Sequence, residues 1–131
     1  MRRRGAEAGW EVLLAMAEAE VADVTRGLPE DVAELASEVP VVFDEAPSTE
    51  LVADGLDPDL LGLFVGIDYA SGESGVQAEG PTQIHLYLTN IWDYAGRDRS
   101  VFREEVRITY LHELGHFLGL DEADLADREI D

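Results

Sequence analysis

The chain contains no cysteine. That excludes disulfide staples, thiolate metal sites and nucleophilic catalysis through a thiol, and it fits a cytoplasmic setting. Positive charge is scarce too: nine basic residues, all arginine, stand against 29 acidic ones, for a net charge of −20. Three of the nine, Arg2, Arg3 and Arg4, sit at the extreme N-terminus, so the rest of the chain is more acidic still. Such a surface repels nucleic acid and anionic lipid, gathers cations and basic peptides, and keeps a protein in solution. Long apolar runs are also missing. The run Val12-Leu13-Leu14-Ala15-Met16-Ala17 is hemmed in by Glu11 and Glu18, and it falls well short of the roughly 18 residues that a membrane span needs. The expectation is a soluble cytoplasmic protein with no nucleic-acid or membrane partner. What remains is 131 residues, 46% of them hydrophobic, which suits one domain over residues 1–131 with a single core, residues 1–5 being disordered.

The stretch that organises the chain is Tyr110-Leu111-His112-Glu113-Leu114-Gly115-His116-Phe117-Leu118-Gly119-Leu120-Asp121-Glu122. Two histidines four apart stack on one face of a helix, so both imidazoles can reach one cation. Glu113 lies roughly 100° round the helix, too far to ligate beside them but near enough to touch a metal-bound water. Gly119 lets the chain leave the helix through the left-handed conformation, which returns Asp121 or Glu122 towards the histidines. Around this stripe, Val101, Val106, Ile108, Tyr110, Leu111, Leu114, Phe117 and Leu118 point in almost every other direction. A helix so apolar is a buried central one, and its polar residues Glu105, Thr109, His112, Glu113 and His116 need partners.

Elsewhere the pattern places further elements in order. Trp10, Leu13, Leu14, Ala17, Val21 and Val24 predict an amphipathic helix over about residues 6–26, closed by Gly27. Pro29-Glu30-Asp31 opens a short second helix with Val32, Leu35 and Ala36 inside. Val39 to Asp44 reads as a strand, Pro47 to Val52 as one or two helical turns, and Leu61 to Ile67 as a second strand. Asp54-Gly55 and Asp57-Pro58 mark turns. The glycine-rich segment Tyr69 to Thr82 is either a binding loop or an idle surface loop. Gln83 to Thr89 alternates as a third strand, with Ile84, Leu86 and Leu88 on one side and Gln83, His85, Tyr87 and Thr89 on the other. His85 is a possible ligand but more simply an exposed strand residue. Asn90 to Gly96 is a connection whose Trp92 and Tyr94 cover the core. Asp98 or Ser100 caps the long helix, and a last short helix follows from Asp121 to about Arg128.

Neutral imidazoles with a carboxylate and no sulfur suit zinc, one ion per chain, with a coordination position left for water. Such an ion lowers the pKa of its water to about 7. Glu113 would accept the proton during attack on a carbonyl and pass it to the leaving amine, which is peptide or amide hydrolysis. For the third ligand, Glu122 occupies the tenth position after His112 and is chosen; Asp121, the alternative, also suits the cap of the last helix.

These residues resemble the small bacterial zincin-like metallopeptidases, the minimal zincins. The likeness runs from about Val21 to Leu125. It rests on Leu28-Pro29, Glu45-Ala46-Pro47-Ser48, Leu61-Gly62-Leu63-Phe64, Ile84-His85-Leu86-Tyr87 and Val106 through Asp124. It implies a compact α+β fold with a small mixed sheet over the active-site helix. It also implies zinc held at His112, His116 and an acidic residue after Gly119, with Glu113 as base. The family usually has aspartate where Glu122 stands. Met1 and Met16 are the only methionines, so the methionine turn of metzincins is absent. Two functions compete: a zinc peptidase taking peptides or unfolded segments in a shallow groove along an edge strand, and a non-catalytic metal-binding or interaction module on the same fold.

Overall fold

The computed structural model describes residues 8–66 and 82–119. Residues 1–5, the glycine-rich segment up to Pro81, and Asp121, Glu122 and the expected last helix lie outside the described residues. The first described element, α1 (Trp10–Arg26), buries Leu13, Ala17 and Val24, spaced by whole turns, and is capped at its end by Gly27. It begins at Trp10 rather than near residue 6, because Gly9 is extended and glycine gains little from joining a helix. The short α2 (Glu30–Ala36) follows, with Pro29 at its N-cap.

Among the described residues three strands make the sheet: β1 (Val41–Asp44), β2 (Gly62–Val65) and β3 (Gln83–Tyr87). Their order is β1-β3-β2, with β1 parallel and β2 antiparallel to β3, so the expected small mixed sheet is present. Between β1 and β2 runs α3 (Thr49–Ala53), whose first turn is closed by the Ser48 hydroxyl accepting from Leu51 N. The expected turn at Asp54-Gly55 is there, with Gly55 at φ 108°.

Register decides what faces the core. Val41 pairs with Ile84, Phe43 with Leu86, Phe64 with Ile84 and Gly62 with Leu86, all on one side. That side packs with α1 and the long helix α5 (Arg99–Phe117) in the main hydrophobic core. The opposite side carries Leu63, Val65 and Tyr87 in a separate small cluster, covered by Leu51, Leu56 and Leu60.

The third strand ends two residues early. Leu88 to Tyr94 form a helix, α4, instead of the rest of a strand and a connection. Leu88, Ile91, Trp92 and Ala95 are all buried, at the spacing of one helical face. Trp92 meets Phe102 of α5 edge-on, with ring centroids 5.7 Å apart. Tyr94, expected to cover the core, is 67% exposed. In α5, Val106, Tyr110, Leu111, Leu114 and Phe117 are buried as expected and Phe102 joins them, but Val101 stands out at the exposed start of the helix. Helices with a small mixed sheet make this an α+β fold, and α5 lies against the sheet as its central helix.

Candidate metal centre

The site begins with a well-anchored helix. Asp98 is the N-cap of α5, its carboxylate accepting from Val101 N at 3.0 Å. This satisfies one of the backbone donors that a helix start leaves unpaired. At the other end Leu118 N donates to Leu114 O, and Gly119 takes φ 82°. The left-handed exit expected of Gly119 is therefore present; Glu122 and Asp121, which it would redirect, lie outside the described residues.

Between these ends the packing of α5 leaves one polar stripe. His112 and His116 stand one turn apart, with ring centroids 4.7 Å apart and planes at 85°. A ligand atom from each of His112, Glu113 and His116 lies within 4.8 Å of the other two. Both histidines are partly buried. Two imidazole nitrogens with a carboxylate at hand, and no sulfur, suit zinc. The position favours a cation further, because the C-terminal turn of a helix carries partial negative charge. These residues fit a divalent ion held by His112 and His116, with the Glu113 carboxylate beside it.

Two residues outside the motif shape its surroundings. Gly62, the first residue of β2, lies against α5: a Cβ placed there would stand 2.6 Å from Thr109 Cγ2 and 3.2 Å from Glu113 Cγ. Two residues on, Phe64 packs edge-on against Phe117, with centroids 6.0 Å apart. Thus β2 runs along α5 beside the turn that carries His112, Glu113 and His116. Tyr87 feels the site electrostatically. Burial first, then the negative charges of Asp44 and Glu113, push its phenol up to about 12. Neither residue stood out as functional in sequence. Glycine in the middle of an apolar strand pattern is the one signal that pointed to Gly62, since it often marks a close approach.

His85 lies elsewhere. Strand alternation turns it to the side of β3 away from Ile84 and Leu86, and hence away from α5. It is half-buried rather than simply exposed. Its Nδ1 lies 3.1 Å from Asp44 Oδ2 and its Nε2 2.7 Å from Gln83 Oε1, with Tyr87 stacked 6.2 Å away. Among the described residues it is not grouped with the two motif histidines.

No helix among the described residues is long and apolar enough to cross a membrane. No curated protein matches the chain. The model of one family does, described as zincin-like metallopeptidase, over residues 36–131. That span takes in the whole sheet, α5 and its clustered histidines, and by it the chain belongs to the zincin-like metallopeptidase family.

Proposed function

We propose that the protein is a zinc-dependent peptidase that hydrolyses peptide bonds in short peptides or unfolded segments, one zinc per chain, in the cytoplasm. The observation that carries this reading is the gathering of the Glu113 carboxylate and the two imidazoles within 4.8 Å on one turn of α5. A purely structural ion needs ligands but no spare acid. When bound at His112 and His116, with Glu122 as the third ligand, zinc supplies polarisation of a carbonyl and acidification of a coordinated water.

The chain's own contribution is proton handling and alignment. A Glu113 carboxylate oxygen takes the proton of the attacking water and returns it to the nitrogen of the leaving amine. Strand β2 supplies the docking edge. Among the described residues it lies at one end of the strand order and runs beside the metal-binding turn, so an extended peptide could pair with its outer backbone groups. The excess of acidic residues favours basic or neutral peptides over nucleic acid and anionic membrane as partners.

The test is Glu113→Gln, which keeps the shape and removes the base. Zinc content should stay at the wild-type level while turnover of an unbiased peptide library falls by about 10²–10⁴-fold. Turnover retained in that variant overturns the proton role. Zinc bound by a wild type that cleaves no peptide leaves the alternative, a non-catalytic metal-binding module.

A further inference from the structure

Gly62 is glycine for space rather than for backbone conformation. Gly55, Gly66, Gly96 and Gly119 have positive φ; Gly62 does not. It opens β2 opposite Leu86 on the core side of the sheet, where the alternation of an ordinary strand would place an apolar side chain. What occupies that room is α5 itself. A Cβ on Gly62 would meet Thr109 Cγ2 at 2.6 Å, Glu113 Cγ at 3.2 Å and the backbone oxygen of His85 at 3.2 Å. None of these gives way easily. Thr109 is β-branched and 7% exposed, so its methyl group has few rotamers to escape into. The carbonyl oxygen belongs to the central strand. The third neighbour is the stem of the residue assigned above as the base.

That contact matters because a glutamate has three side-chain torsions. A free stem would spread the carboxylate over many positions, and only some of these lie beside the two imidazoles. Misplacement by about 1 Å can cost about a hundredfold in rate, and a site is only as well ordered as the shell supporting it. Resting on the peptidase reading above, we propose that Gly62 is the positioning residue for Glu113. Its bare Cα lets β2 settle onto the Thr109–Glu113 ridge, and the strand backbone then confines the Glu113 stem so that its carboxylate stays over the face shared by His112 and His116.

The test compares Gly62→Ala with the double variant Gly62→Ala/Thr109→Ser, using Thr109→Ser alone as reference. Serine removes the methyl group nearest the new Cβ, so the double variant relieves the shortest conflict and leaves the contacts with Glu113 and the His85 carbonyl. The expected result is wild-type zinc content in each, with kcat lowered about a hundredfold in both glycine variants and KM within about threefold. Thermal stability, lowered in the single variant, should return in large part in the double one. A second readout needs no substrate. Three-bond couplings from Glu113 Cγ to its backbone nitrogen and carbonyl carbon should report one χ1 rotamer in wild type and a changed or averaged one in both glycine variants. If Gly62→Ala fails to fold, the double variant decides alone. Wild-type couplings and kcat in a folded glycine variant overturn the proposal, as does full recovery of kcat along with stability in the double variant. A wild type without peptidase activity would sink the proposed function, while the couplings would still decide the role of Gly62.

Discussion

At the scale of single residues, burial and partnership separate the three histidines. His112 and His116 gather with the Glu113 carboxylate within 4.8 Å, whereas His85 is already engaged by Asp44 and Gln83 on the far side of the sheet. His85→Ala should therefore lower stability by about 1–2 kcal/mol, the loss of two half-buried hydrogen bonds, and leave zinc content unchanged. Chemical denaturation and metal analysis on the same preparation check both halves. Tyr87 makes a prediction at alkaline pH. In the unfolded chain its phenol ionises near 10; in the folded protein it holds its proton to about 12. Between these values the folded state binds more protons, so stability is intact below pH 10 and falls as pH rises towards 12. Burial raises the Tyr110 phenol in the same direction. Tyr87→Phe should flatten the decline in melting temperature over that window; an unchanged decline would show that the titrating group lies elsewhere.

At the scale of elements, both ends of α5 bear on the site. Asp98→Ala removes the N-cap bond to Val101 and should cost about 1 kcal/mol. It should not touch metal binding, more than three turns away. Gly119→Ala should cost about 1–2 kcal/mol through its left-handed backbone. It should also weaken zinc binding measured by calorimetry, if the chain beyond it carries the third ligand. These ends were legible in the sequence because each depends on one residue with a local mechanism, a carboxylate before a helix and a glycine after it. The two histidines were legible for the same reason, being one turn apart on an element long enough to show its period. Strand β3 and helix α4 were harder. Gln83 to Thr89 alternates without a break, and a seven-residue helix offers only Leu88, Ile91 and Trp92 to reveal the switch. What ends the strand is tertiary: Leu88, Ile91 and Trp92 all find burial on α5 and α1, and the Asn90 amide donates to the carbonyls of Pro58 and Leu60. Gly62 was hidden for a related reason. Its neighbours Thr109 and Glu113 lie about 50 residues away in sequence, and nothing local announces them.

At the scale of the whole molecule, charge is the dominant property. With a net charge of −20, repulsion among carboxylates opposes the folded state and is screened by salt over a Debye length of about 10 Å at 0.1 M. The melting temperature should therefore rise between 20 mM and 300 mM sodium chloride, concentrations chosen as about twofold and half that screening length. A fall would mean that attractive pairs such as Arg107 with Glu20 and Asp23, which tie α5 to α1, outweigh the repulsion. A bound divalent cation stabilises whatever state holds it, so a chelator should lower the melting temperature of the wild type and leave His112→Ala unmoved. The proposed function depends on one ion at one turn of α5. Its most direct test is elemental analysis of protein purified without a histidine tag, wild type beside His116→Ala. One zinc per chain is expected in the first and its loss in the second. A wild type without metal, or a variant that keeps the same zinc, would contradict it.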